Sequence, residues 1–371
     1  MGTFEIISKH GEHEQVVFCN DKSVGLKAII AVHNTALGPA LGGTRMWNYN
    51  NEEDALIDVL RLSRGMTYKA AAAGLNLGGG KAVILGDAKT QKTEALFRAF
   101  GQFVNSLNGR YITAEDVGTG VKDMEYVFME TPWVTGIPKE MGGSGDPSPY
   151  TARGVLMGMT AAVKWQLGKD SVRGLRVAVQ GLGSVGSHLV RNLVEEGAKV
   201  IISDIDPEKV KRLVAEYKVE PMAPEQILAA DCDILAPCAL GAVVNEQSIR
   251  KLKCKIIAGG ANNVLAEARF GDQLKEMGIL YTPDYVINAG GLMNVFVELE
   301  GYSSDRSMDK TKHVYDNCMN VFSIAKRDGV GTHVAADRLA EERILSVGQL
   351  RQRHPGNSSR AFTTLREVFK R

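Results

Sequence analysis

Several features that mark particular classes of protein are missing from this 371-residue sequence. No run of roughly eighteen apolar residues occurs, as a membrane-spanning helix would need. The five cysteines are odd in number and lack C-x-x-C spacing, which favours reduced thiols over disulfides or zinc. Charge is balanced, with 44 Lys+Arg against 43 Asp+Glu, and no basic run favours nucleic acid or a membrane surface. We expect a cytoplasmic protein that acts on a small molecule.

None of the seven histidines has metal-ligand spacing or stands beside a nucleophile motif. A metal site is therefore not predicted, and a hydroxy-acid dehydrogenase with a histidine base has no support.

The length predicts two domains. The clearest boundary is the Gly/Pro/Ser-rich segment at 136–149, which cannot sustain regular structure. We expect a substrate-binding domain at 1–140, a second domain at 148–332 and a hinge near 142–149. The end of the chain, 333–371, begins with an amphipathic helix that we expect to pack back on the first domain.

Two lysines, Lys69 and Lys81, frame a segment made mostly of alanine and glycine at 65–81. The glycine run at 78–80 lets the backbone come close to a ligand and adopt positive φ, which would present Lys81 at the floor of a narrow site for an anionic substrate. Two ammonium groups held close in a poorly solvated pocket disfavour each other's charge, so one would bind an anionic substrate while the other exchanges protons. An ordinary turn with solvated lysines is the competing interpretation.

A carboxylate, Asp116, follows the strand-like run at 110–114 and precedes a glycine loop. Ligand groups tend to lie at strand ends in α/β sheets. The alternative for Asp116 is a purely structural role, as a helix cap or turn former. Between these features, Asn51 predicts a helix cap before an acidic first turn, and 82–85 predicts a short strand.

The strongest local motif is a G-x-G-x-x-G fingerprint at 181–186, which follows an apolar strand at 176–180 and precedes a helical stretch at 187–196. Gly181 allows the tight turn, Gly183 the approach of a pyrophosphate, and Gly186 the packing of helix on strand. Asp204 follows the next strand, which is predicted at 199–203, and would accept hydrogen bonds from both ribose hydroxyls. No arginine follows closely to pair with a 2′-phosphate, so the sequence predicts NAD rather than NADP.

Further strands alternate with helices after Asp204, which predicts a doubly wound parallel sheet of the Rossmann type. The fold class is thus α/β, with an α/β substrate domain and an NAD-binding domain separated by a cleft. Asn262 and Asn288 lie in loops that should rim the cofactor. Their amides could hold the nicotinamide and the substrate amine, or could simply form turns.

Taken together, these features resemble the glutamate/leucine/phenylalanine/valine family of amino-acid dehydrogenases over nearly the whole chain. The similarity is carried by four long motifs, at 37–46 (LGPALGGTRM), 65–69 (GMTYK), 74–81 (GLNLGGGK) and 283–291 (PDYVINAGG).

The resemblance implies reversible oxidative deamination of an L-amino acid to its 2-oxo acid and ammonia, with hydride passing from Cα to NAD. Lys69 would bind the substrate carboxylate, Lys81 would polarise the carbonyl and activate water, and Asp116 would carry protons to and from nitrogen. Closure at the hinge would expel water. The family also implies a homo-oligomer, from dimer to octamer.

The family's side-chain pocket falls on apolar residues, Leu41, Ala114, Leu292 and Val295, which favours leucine, isoleucine and valine. Leu292 and Met293 stand where smaller β-branched residues are frequent, which leaves room for a phenylalanine- or tryptophan-type substrate. A regulator that binds NAD without catalysis is the alternative from another class, and the retained lysines and aspartate argue against it. The remaining residues that the resemblance assigns are Gly42, Gly43, Met66 and Asn262 for substrate, and Thr151, Leu182, Ser184, Val185, Ile205, Ala239, Asn262 and Asn288 beside the fingerprint glycines and Asp204 for cofactor.

Overall fold

The computed structural model describes residues 2–239 and 241–353. The chain divides into two compact units, which are described separately. The first contains Met1–Asp146, Val295–Ser304 and Ala340–Arg371, and the second contains Pro147–Asn294 and Asp305–Leu339. The division after Asp146 falls inside the predicted hinge segment. Part of the predicted C-terminal segment, 354–371, lies outside the described residues.

The elements of the first unit before Asp146 form a mixed sheet with helices. In chain order they are α1 (Thr3–Lys9), β1 (Gln15–Asp21), β2 (Leu26–Asn34), β3 (Ala40–Leu41), β4 (Thr44–Trp47), α2 (Glu52–Ala72), β5 (Gly78–Leu85), α3 (Glu94–Ser106), β6 (Tyr111–Ile112) and α4 (Val121–Phe128). The strand order is β1-β2-β5-β3-β6, with β4 also paired to β5. β2 runs antiparallel to both β1 and β5, whereas β3 and β4 run parallel to β5.

Helix α2 covers one face of this sheet. As predicted, Asn51 caps it, accepting the backbone N–H of Asp54 at 2.8 Å. Its apolar positions recur at helical spacing and bury against β2 and β5. The core of this layer contains Ile29, Ala31, Ala55, Leu56, Val59, Leu60 and Val83.

The strand predicted at 82–85 begins four residues earlier, so the glycines at 78–80 lie within strand β5 and do not form a turn. None of the three has positive φ. A Cβ on Gly79 would lie 2.1 Å from the backbone nitrogen of Thr67 in α2, and one on Gly78 would lie 2.0 Å from the carbonyl oxygen of Asn34 in β2. The glycines therefore serve close packing of strand against helix and strand, rather than a turn.

The second unit carries the remaining elements. They are α5 (Ser148–Leu167), β7 (Arg176–Gln180), α6 (Ser184–Glu195), β8 (Lys199–Ser203), α7 (Pro207–Tyr217), β9 (Glu220–Pro221), β10 (Ile234–Pro237), β11 (Ile256–Ile257), α8 (Arg269–Glu276), β12 (Leu280–Tyr281), α9 (Asp284–Ile287), α10 (Gly290–Leu299), α11 (Ser304–Lys310), α12 (His313–Asp328) and α13 (Thr332–Arg353). Helices α10 and α13 each continue into the first unit, from Val295 and Ala340 onward.

The sheet of the second unit has the order β12-β11-β10-β7-β8-β9, and each neighbouring pair is parallel. This confirms the predicted doubly wound parallel sheet. Strands β7 and β8 match the predicted limits, since both are short, buried apolar runs. Helix α6, however, begins at Ser184, three residues before its predicted start, because Gly183 already occupies the N-cap position.

Two segments from later in the chain, Val295–Ser304 and the part of α13 from Ala340, make direct contacts with earlier residues of the first unit. In α13, Arg343 donates to the carbonyl oxygens of Leu75 at 2.7 Å and Gly74 at 3.1 Å, just after α2. In α10, the Glu298 carboxylate accepts the backbone N–H groups of Gly136 and Ser144 at 3.0 and 2.8 Å. The predicted limits had placed residues 295–304 in the second domain. No helix within 2–239 and 241–353 has the length and apolar character to cross a membrane.

Candidate active site

The first unit joins Lys81 to Asp116. Lys81 lies on β5 and is 4% exposed. Its Nζ atom is 2.8 Å from Oδ1 of Asp116. Asp116 follows β6 in a turn that Thr119 closes: the Thr119 hydroxyl accepts the N–H of Asp116 at 2.9 Å and donates to the carbonyl of Thr44 at 2.8 Å. The turn thus fixes the aspartate beside a buried ammonium group.

A second cation, Arg45 on β4, binds the other oxygen of the same carboxylate. Its Nε atom lies 3.0 Å from Oδ2 of Asp116. Burial by itself would raise the pKa of Asp116, but the charges of Lys81 and Arg45 outweigh burial and lower that pKa to about 2. Asp116 is therefore a carboxylate at neutral pH. Arg45 was missed as a site residue, although its position after the glycines of the 37–46 motif was the available signal.

The neighbouring carboxyl group, Glu115, has the opposite environment. Burial and the negative charges of Asp146, Asp116 and Asp123 raise the pKa of Glu115 to about 7. Adjacent residues thus hold carboxyl groups that differ strongly in proton affinity, as happens where acid and base roles are separated. Glu115 was also missed from the sequence, because its raised pKa depends first on burial and then on Asp146 and Asp123 as well as on the adjacent Asp116.

The predicted substrate residues at 41–43, with Met66 and Ala114, lie close to this pair or to the elements that carry it. A Cβ on Gly42 would lie 1.7 Å from the carbonyl oxygen of Gly80, with Met66 Cγ at 3.3 Å, and one on Gly43 would lie 2.9 Å from Asp116 Cβ. Leu41 and Ala114 are buried. These contacts bring the 41–43 segment against β5, α2 and the Asp116 turn.

The other predicted substrate residues are more widely distributed. Lys69 lies partly buried in the last turn of α2, two residues after Thr67, which packs on Gly79 of β5. Leu292 and Val295 are buried and lie one turn apart on α10. Asn262 and Leu292 belong to the second unit and Val295 to the first.

In the second unit, the glycine fingerprint forms a tight loop before α6. Gly181 has φ +95°, and a Cβ on Gly186 would lie 2.0 Å from the carbonyl oxygen of Gly181. A Cβ on Gly183 would meet nothing within 4 Å. The loop therefore packs tightly at its two ends and is open at its centre, where the amino end of α6 favours an anion.

Asp204 holds this loop. Its carboxylate accepts the N–H of Leu182 at 2.6 Å and the N–H of Asp206 at 2.9 Å. Ile205 beside it is 91% exposed. A carboxylate with further lone pairs next to a large exposed apolar side chain suits a ribose joined to an adenine ring.

Three buried polar atoms that lack a hydrogen-bond partner in the described part of the chain lie near the same edge of the sheet. Gln180 ends strand β7 and Ser203 ends its neighbour β8. Gln180 Oε1 and Ser203 Oγ have no hydrogen-bond partner among the described residues. Asn288 is 3% exposed and donates through Nδ2 to Asn262 Oδ1 at 2.7 Å, while its own Oδ1 is likewise unpartnered. Because unpaired buried polar atoms are costly, these groups fit a dinucleotide bound along this edge.

Two further predicted cofactor residues, Ala239 and Thr151, pack against the glycine loop and against Gly291, which follows Asn288. Ala239 packs on Gly181, with its backbone nitrogen 2.7 Å from where a Cβ on Gly181 would be. The Thr151 hydroxyl donates to the carbonyl of Pro147 at 3.1 Å, and a Cβ on Gly291 would lie 2.6 Å from that hydroxyl. Within the described chain, no group of three or more His, Cys, Asp or Glu side chains is arranged to hold a metal ion.

A lysine–aspartate pair in one α/β unit and a dinucleotide loop in the other define a two-unit α/β dehydrogenase. The sequence profile described as "Glu/Leu/Phe/Val dehydrogenase, dimerisation domain" matches residues 13–133, and that described as "Glutamate/Leucine/Phenylalanine/Valine dehydrogenase" matches residues 142–346. The chain belongs to this family and is an amino-acid dehydrogenase, as its motifs predicted.

Individual relatives agree with the family. The chain is 60% identical over 340 residues to a leucine dehydrogenase of Geobacillus stearothermophilus, covering 92% of this chain and 93% of the relative. It is 48% identical over 353 residues to a phenylalanine dehydrogenase of Caldalkalibacillus thermarum, covering 94% and 95%. Among solved structures, L-tryptophan dehydrogenase from Nostoc punctiforme superposes with a TM-score of 0.82 at 46% identity, covering 93% of this chain and 99% of that one.

Proposed function

We propose that this protein catalyses the reversible, NAD-dependent oxidative deamination of branched-chain L-amino acids, with L-leucine preferred over isoleucine and valine. The observation that carries the proposal is the buried Lys81 ammonium held on Asp116 among small and apolar residues. The greater identity to leucine dehydrogenase than to phenylalanine dehydrogenase supports leucine.

The residues of the first unit would bind and prepare the substrate. Lys69 would pair with the substrate carboxylate, and Lys81 would polarise the carbonyl of the oxo acid and orient the attacking water. Asp116 would accept hydrogen bonds from Lys81 and from the substrate nitrogen. Because further burial by the substrate raises the pKa of a carboxylate, Asp116 would carry a proton only once the site is filled.

The residues of the second unit would hold NAD. When bound, NAD supplies hydride chemistry by accepting the hydride that leaves Cα of the amino acid. The glycine loop and the amino end of α6 would bind the pyrophosphate, and Asp204 the ribose hydroxyls. Thr151, Asn262 and Asn288 would contact the nicotinamide side. Preference for NAD over NADP rests on the Asp204 charge, which would repel a 2′-phosphate.

In the first unit, Leu41, Ala114 and Val295 are the proposed contacts for the substrate side chain. These three residues, and Leu292 of the second unit, are all less than 10% exposed. A glutamate side chain would leave its carboxylate without a partner among these groups, which is costly. An aromatic amino acid is the nearer competitor, since one methylene in an apolar pocket discriminates by only about 1–3 kcal/mol.

The decisive experiment is to determine kcat/KM for aliphatic, aromatic and acidic L-amino acids, with the reduction of NAD as the assay. Lys81→Ala should lower kcat by roughly 10²–10⁴-fold, as loss of a positioned acid–base group does. Lys27→Ala is the matched control, because Lys27 lies on the neighbouring strand β2 and pairs with Glu52 at the surface. A higher kcat/KM with L-phenylalanine than with L-leucine would reject leucine as the preferred substrate. No turnover of any amino acid would favour an NAD-binding regulator.

We also propose that the protein is a homo-oligomer. The description of the profile matched at 13–133 as a dimerisation domain supports this. Light scattering would give the mass in solution, and a monomer at micromolar concentration would contradict it. The cytoplasmic location indicated by cysteine usage stays a prediction.

A further inference from the structure

Arg45 joins Asp116 to a second carboxylate outside the lysine–aspartate pair. While its Nε atom binds Asp116 Oδ2 at 3.0 Å, its Nη1 atom binds Asp58 Oδ2 at 3.0 Å. The Tyr49 hydroxyl donates to the same Asp58 oxygen at 2.7 Å. The guanidinium is thus held between two carboxylates, and the outer one is itself held by a tyrosine.

The sheet explains why Arg45 and Lys81 meet at one carboxylate. On β5, Lys81 and Val83 are two residues apart and therefore lie on the same face. Arg45 on the parallel strand β4 is the register partner of Val83. Arg45 and Lys81 are consequently diagonal neighbours on one face of the sheet, and Asp116 lies against both of them.

The burial of this network distinguishes it from an ordinary surface ion pair. The side chains of Arg45, Asp58 and Asp116 are 23%, 27% and 23% exposed. Most surface ion pairs contribute little because both partners are solvated and mobile. Here the planar guanidinium uses two different N–H groups to hold two carboxylates, which the point charge of a lysine cannot reproduce.

We propose that Arg45 is a positioning residue for Asp116: it fixes one carboxylate oxygen so that the other faces Lys81, and Asp58 with Tyr49 fixes the guanidinium. This inference rests on the proposed roles of Lys81 and Asp116. It adds a residue that contacts neither the substrate nor the reacting atoms but determines the orientation and the charge of one that does.

The test compares the full-length protein with three single-substitution variants, and a fourth variant serves only for assignment. Arg45→Gln removes the charge and the planar guanidinium. Arg45→Lys keeps the charge and provides a second variant if the first does not fold. Arg98→Gln is the matched control, because Arg98 pairs with Glu94 and Glu130 at the surface of the same unit. Two readouts are measured: kcat and KM for L-leucine with NAD, and the titration of the Asp116 carboxyl by NMR in protein labelled at aspartate Cγ, assigned with Asp116→Asn.

For Arg45→Gln we expect kcat to fall about 10- to 100-fold, with KM for leucine changed less than about threefold, because misplacement of a reacting group affects turnover more than binding. The pKa of Asp116 should rise from about 2 by about 1–3 pH units on loss of one adjacent cation. For Arg45→Lys we expect an intermediate kcat and a smaller rise. Arg98→Gln should match the wild type.

The two readouts separate the inference from the proposed function. If the wild type turns over no amino acid, the proposed function fails, yet the carboxyl titration still decides whether Arg45 controls Asp116. If Arg45→Gln folds and its titration and kcat equal those of Arg98→Gln, the inference is overturned. A loss of thermal stability in Arg45→Lys with unchanged kcat and titration would show a merely structural role and would also overturn it.

Discussion

The polar groups of the lysine–aspartate site and those of the glycine loop are held in place by different means. In the first unit, Arg45, Asp58, Lys81 and Asp116 come from four separate segments, and their charges fix one another. In the second, the residues from 181 to 183 form the loop that leads into α6, and one carboxylate, Asp204, holds it. The first arrangement depends on electrostatics, whereas the second depends on the space that glycine leaves.

This difference determines which substitutions should damage each region. Removal of a charge should alter the first site while leaving its backbone in place. Addition of a single methyl group should be enough to damage the second. Three predictions test the contrast, beyond the Lys81 and Arg45 experiments.

The largest effect is expected from Gly186→Ala. Its Cβ would lie 2.0 Å from the backbone oxygen of Gly181, so α6 must move away from the loop. We expect a loss of about 1–3 kcal/mol of stability, as for other overpacked sites, together with loss of NAD binding. Gly183→Ala is the matched variant, since its Cβ enters open space. It should weaken NAD binding with Tm unchanged. Calorimetry and NAD titration would measure both, and an equal fall in Tm for the two variants would contradict the packing argument.

A smaller effect is expected from Asp204→Asn, which keeps an acceptor for the N–H of Leu182 but removes the charge that would repel a 2′-phosphate. The ratio of kcat/KM for NAD to that for NADP should fall by roughly tenfold or more, since hydrogen bonds to a charged group contribute about 1.5–3 kcal/mol. Asp231→Asn, an exposed carboxylate that pairs with Arg176 on β7, serves as control. An unchanged ratio would exclude Asp204 as the selecting residue.

The smallest effect is expected from Glu115→Gln and concerns pH. Burial and neighbouring acids raise the pKa of Glu115 from 4.5 to about 7. A raised folded-state pKa means that the native state holds the proton more tightly than the unfolded chain. The stability that this proton contributes is therefore complete below pH 4.5 and is lost as pH rises through about 7. Glu115→Gln should remove this loss. Urea unfolding across that range, with exposed Glu52→Gln as control, would detect it, and identical pH curves would reject it.

Prediction from sequence succeeded where the physical cause is local. The limits of β7 and β8, the Asn51 cap and the glycine loop before α6 follow from residues that are neighbours along the chain. Four long family motifs, two of which contain Lys69 and Lys81, identified the family, which the matched profiles confirm. The roles of individual site residues stay predictions.

Prediction failed where a residue's environment comes from distant segments. A glycine run such as 78–80 permits positive φ and a turn, yet α2 and β2 pack so closely on it that only glycine fits, and the run lies within a strand. Residues 295–304 read as part of the second domain, but Glu298 binds backbone groups at 136 and 144. Such contacts join residues more than 150 positions apart, which no local pattern encodes.

The sequence by itself determined the order of strands and helices, the dinucleotide loop and the presence of two lysines and an aspartate suited to amino-acid chemistry. Tertiary structure decided how these charges are paired. Asp116 has a pKa of about 2 and Glu115 one of about 7 although they are adjacent in the chain. The reason is that proton affinity depends on burial and on nearby charge, and only folding brings Lys81 and Arg45 to the first and Asp123 and Asp146 to the second.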